Sequence, residues 1–365
     1  MPTIYHSVEP EANRSEFEEY NSVDFVISTD RNILRNSIRI EGVLRVNQTA
    51  NTRAVFTDRI HLNKRVGIHN IIDSIQTQIG GNIIENVNQD YGRFVHMVQS
   101  ASKSRGDYYD SAEICELKAV STDVAVAQCC GESDLGTTPA FVDMDFSFKP
   151  LIAVNRADNN IPMARLGNEI RISMNLNRKD NVLCGAKQIL GSNYKLSELR
   201  LTYMSVDPSP VPAVNMNSVV SIKQNLNSAH ASINSRVPAV CNSCSISFLK
   251  ASRENQIVSD NLALEVPPQI DEIQFLFNDA TNQLQQYTQN EYGEYCEGYL
   301  DSLKSAGVHQ VSPNNIKGNS VFGIGQNFGQ NVDLSNQKFG VQVKSSAGAN
   351  NAYIMYQFFH SQISV

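Results

Sequence analysis

Residues 75–98 read IQTQIGGNIIENVNQDYGRFVHMV. Ile75 to Ile79 alternates apolar and polar side chains, the period of a half-buried strand. Gly80-Gly81 follows as a two-residue turn of the kind a tight hairpin accepts, and a second short apolar segment comes after it. From Asn88 to Gln99 apolar and aromatic residues recur at steps of three and four, which predicts a short helix around Tyr91-Gly92. The same order returns in the second half of the chain. Asp73-Ser74-Ile75-Gln76 is answered by Asp271-Glu272-Ile273-Gln274, and Tyr91-Gly92-Arg93-Phe94 by Tyr292-Gly293-Glu294-Tyr295.

Working outward, Ile38, Ile40, Leu44 and Val46 share one face of another alternating run. Similar alternation marks Phe141–Phe148, Ile170–Leu176, Leu199–Tyr203, Ile273–Phe277 and Phe339–Val343, and Gln289–Leu303 carries the second helical pattern. The strands around Phe25 and Leu44 are expected to correspond to those around Val219 and Ile246. Those at 168–176 and 199–203 should correspond to 338–343 and 352–359. A repeat of this length, unlike one of twenty to fifty residues, is a duplicated β-domain. The expectation is an all-β chain of two tandem eight-stranded jelly-roll barrels with short helical excursions, since barrels and jelly rolls are how such domains dispose of sheet edges.

Between the halves lies a stretch with Pro208, Pro210 and Pro212, which bars a helix and breaks a central strand. The predicted organisation is an acidic arm at 1–22, a first jelly roll at 23–205 with a long insertion at 101–140, a linker at 206–217 and a second jelly roll at 218–365. With 365 residues the chain has room for two such domains. Its 38 Asn and 37 Ser suit many short strands and many turns.

Charge narrows the function. The net charge is −7, and residues 1–30 hold seven carboxylates against Arg14 alone. The densest basic stretch offers only Arg53, Arg59, Lys64 and Arg65. A chain that grips nucleic acid needs clustered cations to displace counterions, so no sequence-specific nucleic-acid binding is expected. No apolar run is long enough to cross a bilayer, the N-terminal residues lack the basic start and apolar core of a Sec signal, and seven scattered cysteines do not form a disulfide framework.

Catalytic and metal motifs are weak. Cys241 and Cys244 have half the spacing of a zinc site without a second pair, and Cys129-Cys130 are too close to serve one tetrahedral ion. Gly323, Gly325 and Gly329 miss the dinucleotide fingerprint by one place and lack its βαβ setting, so a tight bend or close strand approach is expected. Ser320 misses the nucleophile elbow by one residue. Tyr292, Tyr295 and Tyr299, with Tyr287 before them, read as an aromatic stripe packing a helix onto its barrel. No catalytic residue, metal or cofactor is predicted.

Residues 75–98 also resemble the Gly-Gly hairpin and following Tyr-containing helix of double jelly-roll major capsid proteins. These are found in polintons, virophages, nucleocytoplasmic large DNA viruses, adenoviruses and tailless membrane phages. Phe146 to Leu176 is similar to the later strands of the first barrel in that family. On this resemblance Gly80, Gly81, Tyr91, Gly92, Tyr292 and Gly293 are structural motif residues. It implies a non-enzymatic shell protein of an icosahedral double-stranded DNA virus, located in the virion. Its partners would be itself, as a homotrimer forming a pseudo-hexagonal capsomer and then a lattice, and minor capsid, penton or membrane-associated virion proteins. The alternatives are a penton or minor virion protein, and a cellular β-sandwich enzyme or carbohydrate-binding protein, which a cleft with converging carboxylates would favour.

Overall fold

The computed structural model describes residues 2–47, 61–63, 65–102, 117, 141–184, 193–210, 212–226, 230–235, 240–256, 261–262, 270–277, 280–288, 292–304, 323–333, 339–345 and 353–365. The first half carries β1 (Ile4–Val8), β2 (Glu16–Phe17), β3 (Ser22–Ser28), β4 (Asn32–Ile33), β5 (Arg39–Asn47), β6 (His61–Leu62), β7 (Ile72–Ile79), β8 (Asn82–Val87), helix α1 (Tyr91–Ser102), β9 (Phe141–Phe148), β10 (Glu169–Leu176), the short helix α2 (Lys179–Val182), β11 (Leu183–Cys184) and β12 (Asn193–Val206). The second half carries β13 (Asn215–Leu226), β14 (His230–Ser235), β15 (Val240–Lys250), β16 (Ile270–Phe277), β17 (Ala280–Thr288), helix α3 (Tyr292–Lys304), β18 (Ile324–Asp333), β19 (Phe339–Ser345) and β20 (Tyr353–Ser364).

The pairing shows the repeat directly. Setting aside the two-residue strands, the first half has eight strands, and one sheet runs β1-β12-β5-β9 while β8-β7-β10-β3 form the other. In the second half the sheets run β13-β20-β15-β18 and β14-β19-β16-β17. Counted by position within each half, both read first-eighth-third-sixth and second-seventh-fourth-fifth. That is the double-sheet jelly roll, twice. Each copy is a sandwich of two facing sheets; among the described residues its hydrogen bonding does not close into a barrel. Strands β8 and β13 meet in parallel at Asn86 and Val220, so one eight-stranded sheet runs through both copies.

Alternation puts the core where the sequence places it. Ile27, Phe25 and Val23 of β3 lie opposite Ile170, Ile172 and Met174 of β10, which in turn lie opposite Ile79, Thr77 and Ile75 of β7. All but Thr77 are apolar and all are buried. The second sandwich closes around Phe275, Phe339 and Phe359, with the Phe339 and Phe359 rings edge-to-face at 5.5 Å. Packing of this kind, more than strand propensity, holds such sheets together.

Two boundaries differ from expectation. The first 22 residues are not a separate arm. Ile4–Val8 pairs along Leu201–Ser205 of β12, and Glu16-Phe17 also pairs with β12. The acidic residues there meet cations of the first jelly roll, Glu11 at 2.8 Å from Arg171 and Glu16 at 3.0 Å from Lys195. The second jelly roll begins at Asn215 rather than 218, because Asn215–Asn217 pair with Gln362–Ser364. In consequence the strand of Val219 corresponds to β1, and the counterpart of Phe25 lies in β14, while Leu44 and Ile246 both lie on the third strand of their copy. The 101–140 insertion lies outside the described residues apart from Ala101, Ser102 and Leu117, as do Arg53, Arg59, Lys64, Cys129, Cys130 and Ser320.

Candidate functional site

The predicted motif residues build a hairpin and a helix that lead from one jelly roll to the other. Gly80 and Gly81 are the two loop residues between Ile79 and Asn82, and both have positive φ, 55° and 82°. A Cβ on Gly80 would sit 2.7 Å from the Leu166 carbonyl oxygen, so the position needs glycine twice over, for its backbone angle and for space. The hairpin delivers the chain through β8 to Asp90, whose φ of 58° breaks the strand and whose carbonyl accepts from the amides of Arg93 and Phe94 to start α1. Tyr91 is fully buried, and its hydroxyl accepts from the Leu151 amide at 2.6 Å. A Cβ on Gly92 would lie 2.2 Å from Asn70 Oδ1, so the first turn of α1 packs directly on that asparagine. Tyr292 and Gly293 open α3 as their counterparts open α1.

α1 is the keystone of a seam between the two jelly rolls. Arg93 is fully buried, with its guanidinium 4.2 Å above the Tyr356 ring and a hydrogen bond from Nη2 to the Asn261 carbonyl. Phe94 lies 5.6 Å from Phe358 and 6.1 Å from His360, both on β20. His96 Nδ1 lies 2.9 Å from the Leu262 carbonyl, which can only accept, so Nδ1 carries the proton and Nε2 is left to accept from Arg65 at 3.3 Å. One helix of the first jelly roll therefore reads side chains and backbone of the second within a single turn, from Arg93 to His96.

Behind it sits a buried ion pair. Glu85 of β8 binds Arg156 and accepts from the Ala153 amide at 2.6 Å. Burial pushes the Glu85 carboxyl up, while Arg156 and the Ala153 amide pull it down. Arg156 in turn lies 5.3 Å from the Phe94 ring. Burial, helped by Arg156, holds His360 down at about 3, so it stays neutral and bonds Ser245 at 2.8 Å through Nε2. At the edge of the seam Lys223 of β13 bridges Asp90 and Glu254. Asp73 nearby is pushed up to about 6 by burial and by Asp90.

A second set of contacts was not legible as a site. Asn63, Asn70, Asn177, Asn181 and Asn261 bond one another and neighbouring carbonyls: Asn63 Nδ2 to Asn261 Oδ1 at 3.2 Å, Asn177 Nδ2 to the Asn70 carbonyl at 3.1 Å, Asn261 Nδ2 to the Asn181 carbonyl at 3.1 Å. They stitch a segment of the second jelly roll into the first. Asparagine abundance signalled turns and nothing more.

The remaining motifs resolve as packing. Cys241 and Cys244 lie in the second core on either side of a register shift, and burial raises both thiols, Cys241 to about 12. Gly323 and Gly325 permit a close approach of α3, and Gly323 also of β15: a Cβ on Gly323 would fall 2.5 Å from the Tyr299 ring and 2.8 Å from the Ile246 carbonyl oxygen, and one on Gly325 2.1 Å from Ser302 Oγ. Tyr299 is buried, whereas Tyr287 belongs to β17. Among the described residues no three His, Cys, Asp or Glu side chains gather as metal ligands would. A cleft of about 410 Å³ on the outer face of the first jelly roll holds Glu41, Asp145 and Glu198. Glu41 there is engaged by Arg200 at 3.1 Å, Ser147 at 3.1 Å and Thr202 at 3.3 Å.

Comparison with known proteins places this architecture. A scan against family models finds no match to the sequence, nor does a search of curated proteins. Solved structures do match in shape. The Faustovirus major capsid protein superposes with a TM-score of 0.69 at 9% identity, covering 100% of this chain and 90% of that one. The PBCV-1 virus capsid gives 0.61 at 11% identity over 100% and 94%, and the mavirus major capsid protein 0.56 at 9% over 99% and 90%. The chain has the double jelly-roll fold of these major capsid proteins, over nearly the full length of each.

Proposed function

We propose that this protein is the major capsid protein of an icosahedral double-stranded DNA virus or virus-like element, a structural and non-enzymatic subunit of the virion shell. One observation carries the reading: the same strand order occurs twice, spans almost the whole chain, and is shared end to end with viral shell proteins. A fold by itself does not name a function. Here the seam adds a physical reason. A shell subunit must transmit load between its parts, and α1 with its buried Arg93, Phe94 and Glu85–Arg156 pair fastens the two jelly rolls together rather than leaving a hinge or a cleft between them.

Three chains with two like domains each present six nearly equivalent domains, which suits a trimeric, pseudo-hexagonal capsomer; symmetry then fixes the contacts. The partners are further copies of the chain, first in the capsomer and then in the lattice, together with minor capsid, penton or membrane-associated virion proteins. The acidic N-terminal residues do not act as a free tether in this reading, since deleting 1–22 takes away the first strand of a jelly roll. At −7 per chain, capsomers repel one another, so lattice growth is promoted by salt that screens charges beyond roughly 8 Å.

The test is absolute mass by light scattering, with negative-stain imaging of the same sample at rising salt. The expected result is a species of three times 40.5 kDa with hexagonal outlines, passing to shells as salt increases. A single-chain species at every concentration and salt would remove the capsomer reading.

A further inference from the structure

The joint inside the chain uses one edge strand from each jelly roll. It joins β8, the fifth strand of the first copy, to β13, the first strand of the second. Ser218 Oγ donates to the Ile84 carbonyl, and the Asn88 amide donates to Ser221 Oγ at 2.8 Å, so side chains of β13 extend the bridge on both sides of the strand crossing. Because the two copies share one strand order, each joint consumes a fifth-strand edge and a first-strand edge. What is left over is the complementary pair: β1, the first strand of the first copy, and β17, the fifth strand of the second. Among the described residues β1 pairs only with β12, and β17 only with β16.

The free edge at β1 has the surface of a contact. Tyr5 is 57% exposed, its neighbour across the pair, Met204, is 38% exposed, and Ile4 beside them is 42% exposed. These are three of the large apolar residues that the described surface exposes, and they adjoin an unpaired strand edge, which is where a sheet accepts another chain.

Resting on the capsomer reading above, we infer that β1 of one protomer docks against β17 of the next, repeating between chains the β8–β13 joint made within each chain. The occupant is a second copy of this protein, and the contact is head-to-tail: each protomer offers β1 to one neighbour and β17 to the other. Heterologous contacts of this type close into rings when the rotation allows, and three chains then place like joints at all six boundaries of the ring. The apolar Tyr5–Met204 patch is covered in that arrangement, and the other open edges, β3, β9, β14 and β18, are left for other partners or for solvent.

The experiment uses two variants of the full chain. One carries Tyr5→Glu with Met204→Glu, on exposed positions of the β1 edge. The other carries Gln286→Pro on β17, replaced by Tyr287→Pro if the first lowers the thermal midpoint, because these residues pair in register with Gln274 and Ile273, consecutive amides on a strand point to opposite sides, and one of the two faces away from β16. Circular dichroism and the thermal midpoint confirm that each variant folds. Light scattering is expected to give three chain masses for the wild type, one for each variant alone, and two for their equimolar mixture, since each variant retains the edge the other has lost. A trimer that survives the Tyr5/Met204 change overturns this assignment while leaving the capsomer reading intact. A mixture that stays at one chain mass shows that the two edges do not face each other and overturns it as well. A wild type of one chain mass fails the capsomer reading itself.

Discussion

Strands β12 and β20 occupy the same place, last in their copy and second in their sheet, yet their outward faces are opposites. On β12 the outward residues include Lys195, Ser197, Arg200 and Met204, half-buried or exposed. On β20 they are Ile354, Tyr356, Phe358 and His360, all buried. The inward residues are mainly apolar in both, Leu196, Leu199 and Leu201 on β12 and Met355 and Phe359 on β20, with buried Gln357 among the latter. The difference is what lies outside: β20 is covered by α1, through Arg93 on Tyr356 and Phe94 on Phe358, while β12 faces solvent across a ladder of ion pairs. Duplication preserved the hydrogen-bonded frame and the core; the outer faces were free to diverge, and one became a permanent internal contact. An antiparallel sheet tolerates either outcome because only one face must be buried to hold its register.

The largest effect belongs to the covered face. Phe94→Ala removes a ring packed against Phe358, His360 and Arg156. The expected loss is about 3–5 kcal/mol of unfolding free energy, the usual cost of deleting a buried aromatic ring, read by urea denaturation. The comparison sharpens if the lost stability comes with early unfolding of one jelly roll, seen as two transitions where the wild type has one. It breaks if Phe94→Ala costs no more than a surface change.

These two faces also explain what was legible in the sequence. Alternation around Leu44 and Leu199–Tyr203 was readable because one side of those strands meets water. Residues 353–360 read YIMYQFFH, with no clear alternation, because both sides of β20 are buried. The hairpin and the start of each helix were visible as Gly80-Gly81 and the two Tyr-Gly pairs, since turn geometry and helix onset are local. The seam was not visible: Arg93 and His96 look like ordinary polar residues on a helix, and only folding brings Tyr356, Asn261 and Leu262 to them. β1 was missed for a different reason. A five-residue edge strand amid carboxylates carries too little pattern to outweigh its charge, and its partner lies almost 200 residues away.

An intermediate effect comes from the acid at the border of the seam. Asp73 has its carboxyl raised from 3.8 to about 6, first by burial and then by Asp90. A carboxyl harder to ionise in the folded state than in the unfolded chain stabilises the fold below its unfolded pKa, and this contribution is lost as pH rises through the folded value. Stability from this residue therefore falls between about pH 4 and pH 6. Asp73→Asn should flatten that part of the stability profile and raise stability at pH 7 by roughly 1–3 kcal/mol, given about 1.4 kcal/mol for each pKa unit. Denaturation midpoints of both proteins from pH 4 to pH 8 are the measurement. Parallel curves would mean that Asp73 ionises as freely in the fold as in the unfolded chain.

The smallest effect is expected on the uncovered face, where Arg45 and Asp143 form a two-pronged pair with both contacts at 2.7 Å. Its geometry is as good as that of any ion pair among the described residues, and hydrogen bonding to Arg45 lowers the Asp143 carboxyl. Even so, both side chains are about 40% exposed, and water and salt screen a pair that folding has not removed from solvent. Arg45→Ser should accordingly leave the thermal midpoint where it is, both in dilute buffer and at roughly 0.5 M salt. The pair lies across β5 and β9, on the far side of the sheet from β1, so assembly through β1 leaves it in water as well. A loss approaching that of Phe94→Ala would mean that this face too is covered in solution. The contrast between β12 and β20 would then describe the isolated chain, and the first jelly roll would carry a second docking surface alongside its free edge.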